Sequence, residues 1–258
     1  MERAADFLLV IPAHREHLRL PPFLGELTRA LSKAPFTTEV RVVDDGSPEG
    51  EWQALRKAME ALRREAGGSC RLAEPLRHPQ RRGKGAAILT GWRLSPAAYW
   101  VAFIDADGAI PASEAVRLLG LALAGDVGTP ALFAVRAGTV RRRAGRRAAA
   151  LLFAAAVRLL FGRLSPAGDT QCGFKIVPAT FWTRLDPLLR ERGFCFDVEL
   201  YLACRRLALP MKEVSIAWAE QSGRFSPFHA APWVLADLLK LRGRWRRGSI
   251  TRRPVLIS

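Results

Sequence analysis

Tyr99-Trp100-Val101-Ala102-Phe103-Ile104-Asp105-Ala106-Asp107-Gly108-Ala109 runs from an apolar segment straight into two carboxylates and a glycine. The apolar part reads as a buried strand. Charges are costly inside a sheet, so Asp105 and Asp107 belong where the strand leaves it. Two acidic oxygen ligands at a strand's carboxyl end suit a hard divalent cation, Mg2+ or Mn2+, of the kind that bridges protein to a diphosphate. Read alone, Asp-Ala-Asp-Gly fits a solvated turn equally well. The rest of the chain decides between the two.

Upstream, strand-like runs end in polar loops. Phe7 to Ile11 is followed by Pro12, Ala13 and a loop with Glu16. Glu39 to Val43 ends in Asp44-Asp45-Gly46-Ser47, and Cys70 to Leu72 makes a short third strand. Helical spacing is expected over Phe23–Leu31 and over Glu51–Arg64, with Trp52, Leu55, Met59 and Leu62 on one face. Gly83-Lys84-Gly85 opens a helix over Ala86–Leu94. Its backbone N–H groups and lysine suit a phosphate, although a capping glycine is the simpler alternative. It is not a Walker A loop, because Gly85 stands where Ser or Thr is required. A helix to Leu123, with Ser113 as a possible cap, and a strand Ala131–Val135 follow.

Alternating strands and helices specify an α/β fold with a mostly parallel, Rossmann-like central sheet flanked by helices. Ligands in such sheets bind beyond the carboxyl ends of the strands. Glu16, Asp44, Asp45, Asp105 and Asp107 should therefore converge.

The second half has another character. Ala148–Phe161 reads as a strongly apolar helix behind an arginine cluster, suited to the core or to a membrane interface. Gly168-Asp169-Thr170-Gln171-Cys172-Gly173-Phe174-Lys175 is a polar turn feeding a short strand to Val177. Helices over Pro178–Arg190 and Phe196–Leu207 follow, the latter with Asp197 and Glu199 in its first turn as ordinary dipole-favoured acids. A strand Lys212–Trp218 and an amphipathic helix Trp233–Leu241 close the pattern.

The 258 residues carry a formal charge of +16, from 40 basic and 24 acidic side chains. That balance favours an anionic partner. No acid lies between Asp126 and Asp169, where Arg136, Arg141, Arg142, Arg143, Arg146, Arg147, Arg158 and Arg163 fall, and none follows Asp237. No motif for nucleic acid is present, so none is expected as partner, and a non-enzymatic basic module binding nucleic acid through the arginine segments is the remote alternative. No apolar run is long enough to span a bilayer, and the first residues read as the approach to a strand rather than as a signal peptide. Cys70, Cys172, Cys195 and Cys204 lack metal-ligand spacing and read as free thiols of a reducing compartment. The four histidines look isolated.

As an ordered set, these motifs resemble the family 2 glycosyltransferases of GT-A fold, and among them the dolichyl-phosphate glucosyltransferase (polyprenyl-phosphate hexose synthase) branch. The segments are Val10-Ile11-Pro12-Ala13 with Glu16, Val42-Val43-Asp44-Asp45-Gly46-Ser47, Gly83-Lys84-Gly85, Asp105-Ala106-Asp107-Gly108-Ala109, Asp169 to Lys175, Phe196-Asp197-Val198-Glu199-Leu200 and Trp218-Ala219-Glu220. They span about residues 7–247.

The resemblance implies an inverting hexose transfer from a nucleotide sugar, UDP-glucose, to a polyprenyl phosphate. Pro12, Ala13, Glu16, Asp44, Asp45, Lys84 and Ala106 would hold the nucleotide. Asp105 and Asp107 would hold Mg2+ or Mn2+. Asp169, Gln171 and Lys175 would line the reacting side. Arg136, Arg146 or Arg147, and Arg224 would receive the acceptor's phosphate. Ala109 stands where related mannosyl enzymes have Gln, which favours glucose. A soluble family 2 enzyme acting on a glycan, lipid or small metabolite is the alternative. The implied layout is one domain, with a nucleotide-binding half to about residue 110, an acceptor half over 111–230 and a basic amphipathic tail over 231–258. Its interfacial helices would seat it peripherally on an anionic membrane, on the cytoplasmic face.

Overall fold

The computed structural model describes residues 5–94, 98–125, 130–136, 144–162, 171–219 and 227–247. The chain forms two compact units, one of residues 1–141 with 168–223 and one of residues 142–167 with 224–258.

The first unit is built on one sheet. Its strands are β1 (Phe7–Ala13), β2 (Thr38–Asp44), β3 (Cys70–Leu72), β4 (Leu76–Arg77), β5 (Trp100–Ile104), β6 (Ala131–Arg136), β7 (Phe174–Pro178) and β8 (Met211–Ile216). The order is β3-β2-β1-β5-β7-β6-β8, with β4 also on β2. β1 pairs in parallel with β2 and with β5. β1 and β5 are continuous apolar runs because both faces of the sheet are covered, while β2 carries Glu39 and Arg41 among its apolar residues. Phe7, Leu8, Leu9, Val10 and Ile11 have no exposed surface.

The helices of this unit are α1 (Leu20–Leu31), α2 (Glu49–Glu65), α3 (Lys84–Arg93), α4 (Ala112–Leu123), α6 (Ala179–Leu185) and α7 (Phe196–Arg206). α1 starts earlier than its periodicity suggests, because Pro21 and Pro22 fit a first turn whose N–H groups need no partner. The N-cap of α4 is Pro111, and Ser113 lies inside the helix without capping it. α6 is far shorter than the run from Pro178 to Arg190, since residues after Leu185 turn away. The largest departure is β7, which runs antiparallel between β5 and β6. Strand direction is not encoded in a five-residue apolar pattern, so it is invisible locally.

The second unit contains α5 (Ala144–Phe161) and α8 (Pro227–Arg247), both longer than their apolar cores. Arg242 of α8 donates from Nη1 to the carbonyl of Leu160 at 2.5 Å, supplying a cation and a donor at the carboxyl end of α5. Leu151, Leu152 and Leu159 of α5 and Trp233, Leu235 and Leu239 of α8 are exposed. No helix among the described residues is long and apolar enough to cross a membrane. All four cysteines are free and buried.

Candidate active site

The parallel strands β2, β1 and β5 lie side by side, so their carboxyl-end loops meet at one edge. The Asp45 N–H donates to the Ala13 carbonyl at 2.7 Å, fastening the loop after β2 to the end of β1. Pro12 and Ala13 are the last two residues of β1.

Asp44 and Asp45 turn inward. Asp44 is fully buried and accepts from the Ser47 N–H and hydroxyl. Asp45 Oδ1 accepts from His78 Nδ1 and from the Arg82 N–H, both at 2.8 Å, while Oδ2 accepts from the Gly83 N–H at 2.7 Å. His78 Nε2 lies 3.0 Å from the Thr90 hydroxyl. The histidine is therefore not isolated, as its spacing suggested; it braces Asp45. Glu16 pairs with Arg19 at the entry to α1.

The loop before α3 differs from the open phosphate cradle expected of Gly83-Lys84-Gly85. Its Arg82 and Gly83 N–H groups are taken by Asp45, and the Ala86 N–H donates to the Arg192 carbonyl at 3.0 Å. Gly83 has φ +104°, and a Cβ there would sit 2.3 Å from that same carbonyl. The glycine is required by backbone conformation and close packing. What the loop presents is the side chain of Lys84.

Lys84 Nζ lies 2.8 Å from Asp105 Oδ1 and 3.1 Å from Asp197 Oδ2. Asp197 in turn pairs through Oδ1 with Lys175, whose ammonium also donates to the Cys172 carbonyl. Lys175 and Asp197 have no exposed surface, whereas the Lys84 and Asp105 side chains keep 23% and 35% of theirs. Both ammonium groups sit over the Phe103 ring, at 5.1 and 5.5 Å from its centroid. Asp197 and Glu199 are thus not plain first-turn acids. Glu199 is equally buried and accepts the Arg190 and Glu191 N–H groups, holding the loop that packs on Gly83. A buried acid reads like an exposed one in sequence; only the apolar neighbours Phe196, Val198 and Leu200 hinted at it.

Asp105 and Asp107 lie just beyond β5. Gly173 makes room for Asp105, since a Cβ there would fall 1.9 Å from Oδ2. Asp107 Oδ1 accepts from the Ala109 N–H at 3.0 Å. Ala106 and Ala109 are buried, and the Ala109 carbonyl accepts from the Ala219 N–H at 2.9 Å, which joins the segment after β8 to this turn.

Burial raises the Asp105 carboxyl above its ordinary range; Lys84 pulls it back, and the charges of Asp107 and Asp197 add to the rise. Burial also opposes ionisation of Asp197, but Lys175 and Lys84 overcome it and hold that carboxyl low. Burial works against the Lys84 charge, yet Asp105 and Asp197 raise its pKa above that of an ordinary lysine. The Lys84 and Lys175 ammoniums thus share a small space with the carboxyl groups of Asp105 and Asp197, with Asp107 close by. Asp105 and Asp107 offer hard oxygen donors in a place that gains from a cation, so they fit Mg2+ or Mn2+. Among the described residues, no group of three His, Cys, Asp or Glu could hold a metal alone.

Gln171 is half-buried ahead of β7. Arg136, at the end of β6, lies over the Trp218 ring at 5.2 Å. Asp169 and Arg224 lie outside the described residues, as do the side chains of Arg146 and Arg147.

Residues 8–176 match the family described as Glycosyl transferase family 2. Over 93% of its length the chain is 27% identical to a protein named dolichyl-phosphate beta-glucosyltransferase from Dictyostelium discoideum, covering 75% of it. It is 29% identical to the Mus musculus protein of the same name, covering 93% of this chain and 76% of that one. Among solved structures, glucosyl-3-phosphoglycerate synthase from Mycobacterium tuberculosis, in complex with Mn2+, uridine diphosphate and phosphoglyceric acid, superposes with a TM-score of 0.67. At 16% identity, with 93% of this chain and 78% of that chain covered, the likeness is one of fold.

Proposed function

Since the chain belongs to glycosyl transferase family 2 and is a glycosyltransferase, we propose that it moves a glucosyl group from UDP-glucose to a polyprenyl phosphate, with inversion at the anomeric carbon. The supporting observation is the cluster beyond β5, where Asp105, Asp107 and Lys84 meet at the edge on which an α/β sheet binds its ligand.

In this reading Asp105 and Asp107 hold the divalent cation. A bound Mg2+ or Mn2+ there supplies Lewis-acid neutralisation of charge on the departing diphosphate. Lys84 has three N–H donors; Asp105 and Asp197 take two, leaving one on its exposed side for a phosphate oxygen. Pro12, Ala13 and the loop braced by Asp45 form the nucleoside end, with Glu16 at its border. Gln171 supports the sugar side from the turn before β7, whereas Lys175, fully buried on Asp197 and the Cys172 carbonyl, does not line the reacting side as its motif implied.

The acceptor follows from charge. A phosphate monoester has its second pKa near 6, so at neutral pH it attacks without a general base. It needs a cation to orient it, and a guanidinium is the suitable group. Arg136 is assigned that role. The relatives' printed name, dolichyl-phosphate beta-glucosyltransferase, supports the same acceptor class.

The second unit, taken by itself, suits a peripheral seat on an anionic membrane. Its two helices expose leucines and a tryptophan, and its sequence carries arginines without intervening acids over 142–167.

Incubation with radiolabelled UDP-glucose, Mn2+ and polyprenyl phosphate, followed by organic extraction, tests the assignment. Label should enter the organic phase and stay aqueous when EDTA is added. Label that moves only to a soluble acceptor, such as a phosphorylated metabolite or a glycan, would contradict the lipid acceptor.

A further inference from the structure

We propose that Asp197, clamped by Lys175, is the positioning residue that fixes the Lys84 ammonium at the mouth of the donor site. This rests on the reading of Lys84 as the diphosphate contact. Four observations converge on it.

Asp197 lies between two lysines, Oδ1 toward Lys175 and Oδ2 toward Lys84, so one carboxylate sets the spacing of both. Lys175 and Asp197 are fully buried while Lys84 keeps part of its surface. The fixed pair is inside and the working ammonium is at the edge. A lysine side chain has several rotatable bonds, and an exposed one would lose much of that freedom on meeting a phosphate. Here the loss is taken in folding.

The backbone around Lys84 is held independently on both sides. Asp45 takes the N–H groups of Arg82 and Gly83. Glu199, two residues on from Asp197 in α7, takes the N–H groups of Arg190 and Glu191, and the Arg192 carbonyl beside them accepts the Ala86 N–H. Three buried carboxylates therefore converge on the start of α3. None of them acts as a side-chain cap of α3, whose N-cap is Gly83. Their combined effect is to leave the Lys84 ammonium one location.

Finally, the Phe103 ring lies beneath both ammoniums. Its face favours cations, and its place in β5 ties the lysine pair to the strand that ends at Asp105. Lys84 is thereby registered against the residues proposed to hold the metal.

The test separates positioning from mere stabilisation. Asp197→Asn with Lys175→Met removes the inner pair as a neutral unit, and Lys84→Met removes the ammonium itself. UDP affinity is measured by calorimetry with Mn2+ and with EDTA, beside the melting temperature of each protein. The double variant should melt close to wild type yet bind UDP about tenfold more weakly. Lys84→Met should lose about as much, and combining all three changes should cost little more, because Asp197 acts through Lys84. Should the double variant fail to fold, the isosteric Asp197→Asn enters the same cycle alone. Wild-type affinity in a folded Asp197 variant, or losses that add in full to that of Lys84→Met, would overturn the inference. A wild-type protein that binds no UDP would overturn the donor reading as well.

Discussion

Asp105 shows how much of this site depends on what surrounds a single carboxylate. Its neighbours are Lys84 on one oxygen and the bare backbone of Gly173 against the other. Gly173→Ala needs no unusual backbone angle, so its effect should be local: the new methyl must push the carboxylate aside. Misplacement of a reacting group by about 1 Å costs about 100-fold in rate. Turnover should fall by that order with only a small change in melting temperature, checked by kcat/KM and calorimetric melting. Unchanged kcat/KM would mean that Asp105 does not work from this position.

The acidic loops were legible as residues, because Asp105, Asp107, Asp44 and Asp45 all sit at strand ends in the sequence. Their partners were not. His78 is 33 positions from Asp45, and Lys84 is 113 positions from Asp197. Pairings of that separation are made by the sheet, not by local pattern. That is also why Asp197 and Glu199 looked like dipole-favoured acids at a helix start.

At the scale of elements, apolar runs announced β1 and β5 nearly to the residue, since strands covered on both faces leave a continuous signature, and β2 and β3 were legible from shorter, interrupted patterns. The antiparallel insertion of β7 left none. α7 is a helix buried on nearly every residue from Phe196 to Cys204, with only its last turn exposed.

Burial pushes the Cys204 thiol up to about 12. An unfolded thiol titrates near 8.5, so the unfolded chain loses its proton while the native chain keeps it. Stability must then fall as pH rises from about 8.5 toward 12, the sign expected for an acid whose folded pKa is raised. Between pH 8 and 10.5 the wild type should lose about 2–3 kcal/mol more than Cys204→Ala. Urea unfolding at the two pH values measures the difference. Equal losses would mean the thiol is hydrated in the native protein.

At the scale of the whole molecule, the chain separates its charges. The first unit gathers buried carboxylates at one edge of a parallel sheet, while the segments assigned to the second unit are rich in arginine. The net charge of +16 is therefore less informative than its distribution along the sequence. The α/β layout with carboxylates beyond its strand ends was readable from order alone. Which carboxylates are buried in the scaffold, as Asp44, Asp45, Asp197 and Glu199 are, was not, because buried and open ones alike occupy strand ends or helix starts.

The central claim is that Asp105 and Asp107, with Lys84, form a metal-dependent site for the diphosphate of a nucleotide sugar. Calorimetric titration of UDP into wild type and Asp107→Asn, each with and without Mn2+, tests it most directly. Wild type should bind UDP at least about tenfold more tightly with Mn2+ than in EDTA, and the folded Asp107→Asn protein should gain nothing from the metal. An Asp107→Asn protein that binds UDP with full affinity and full Mn2+ dependence would contradict the account.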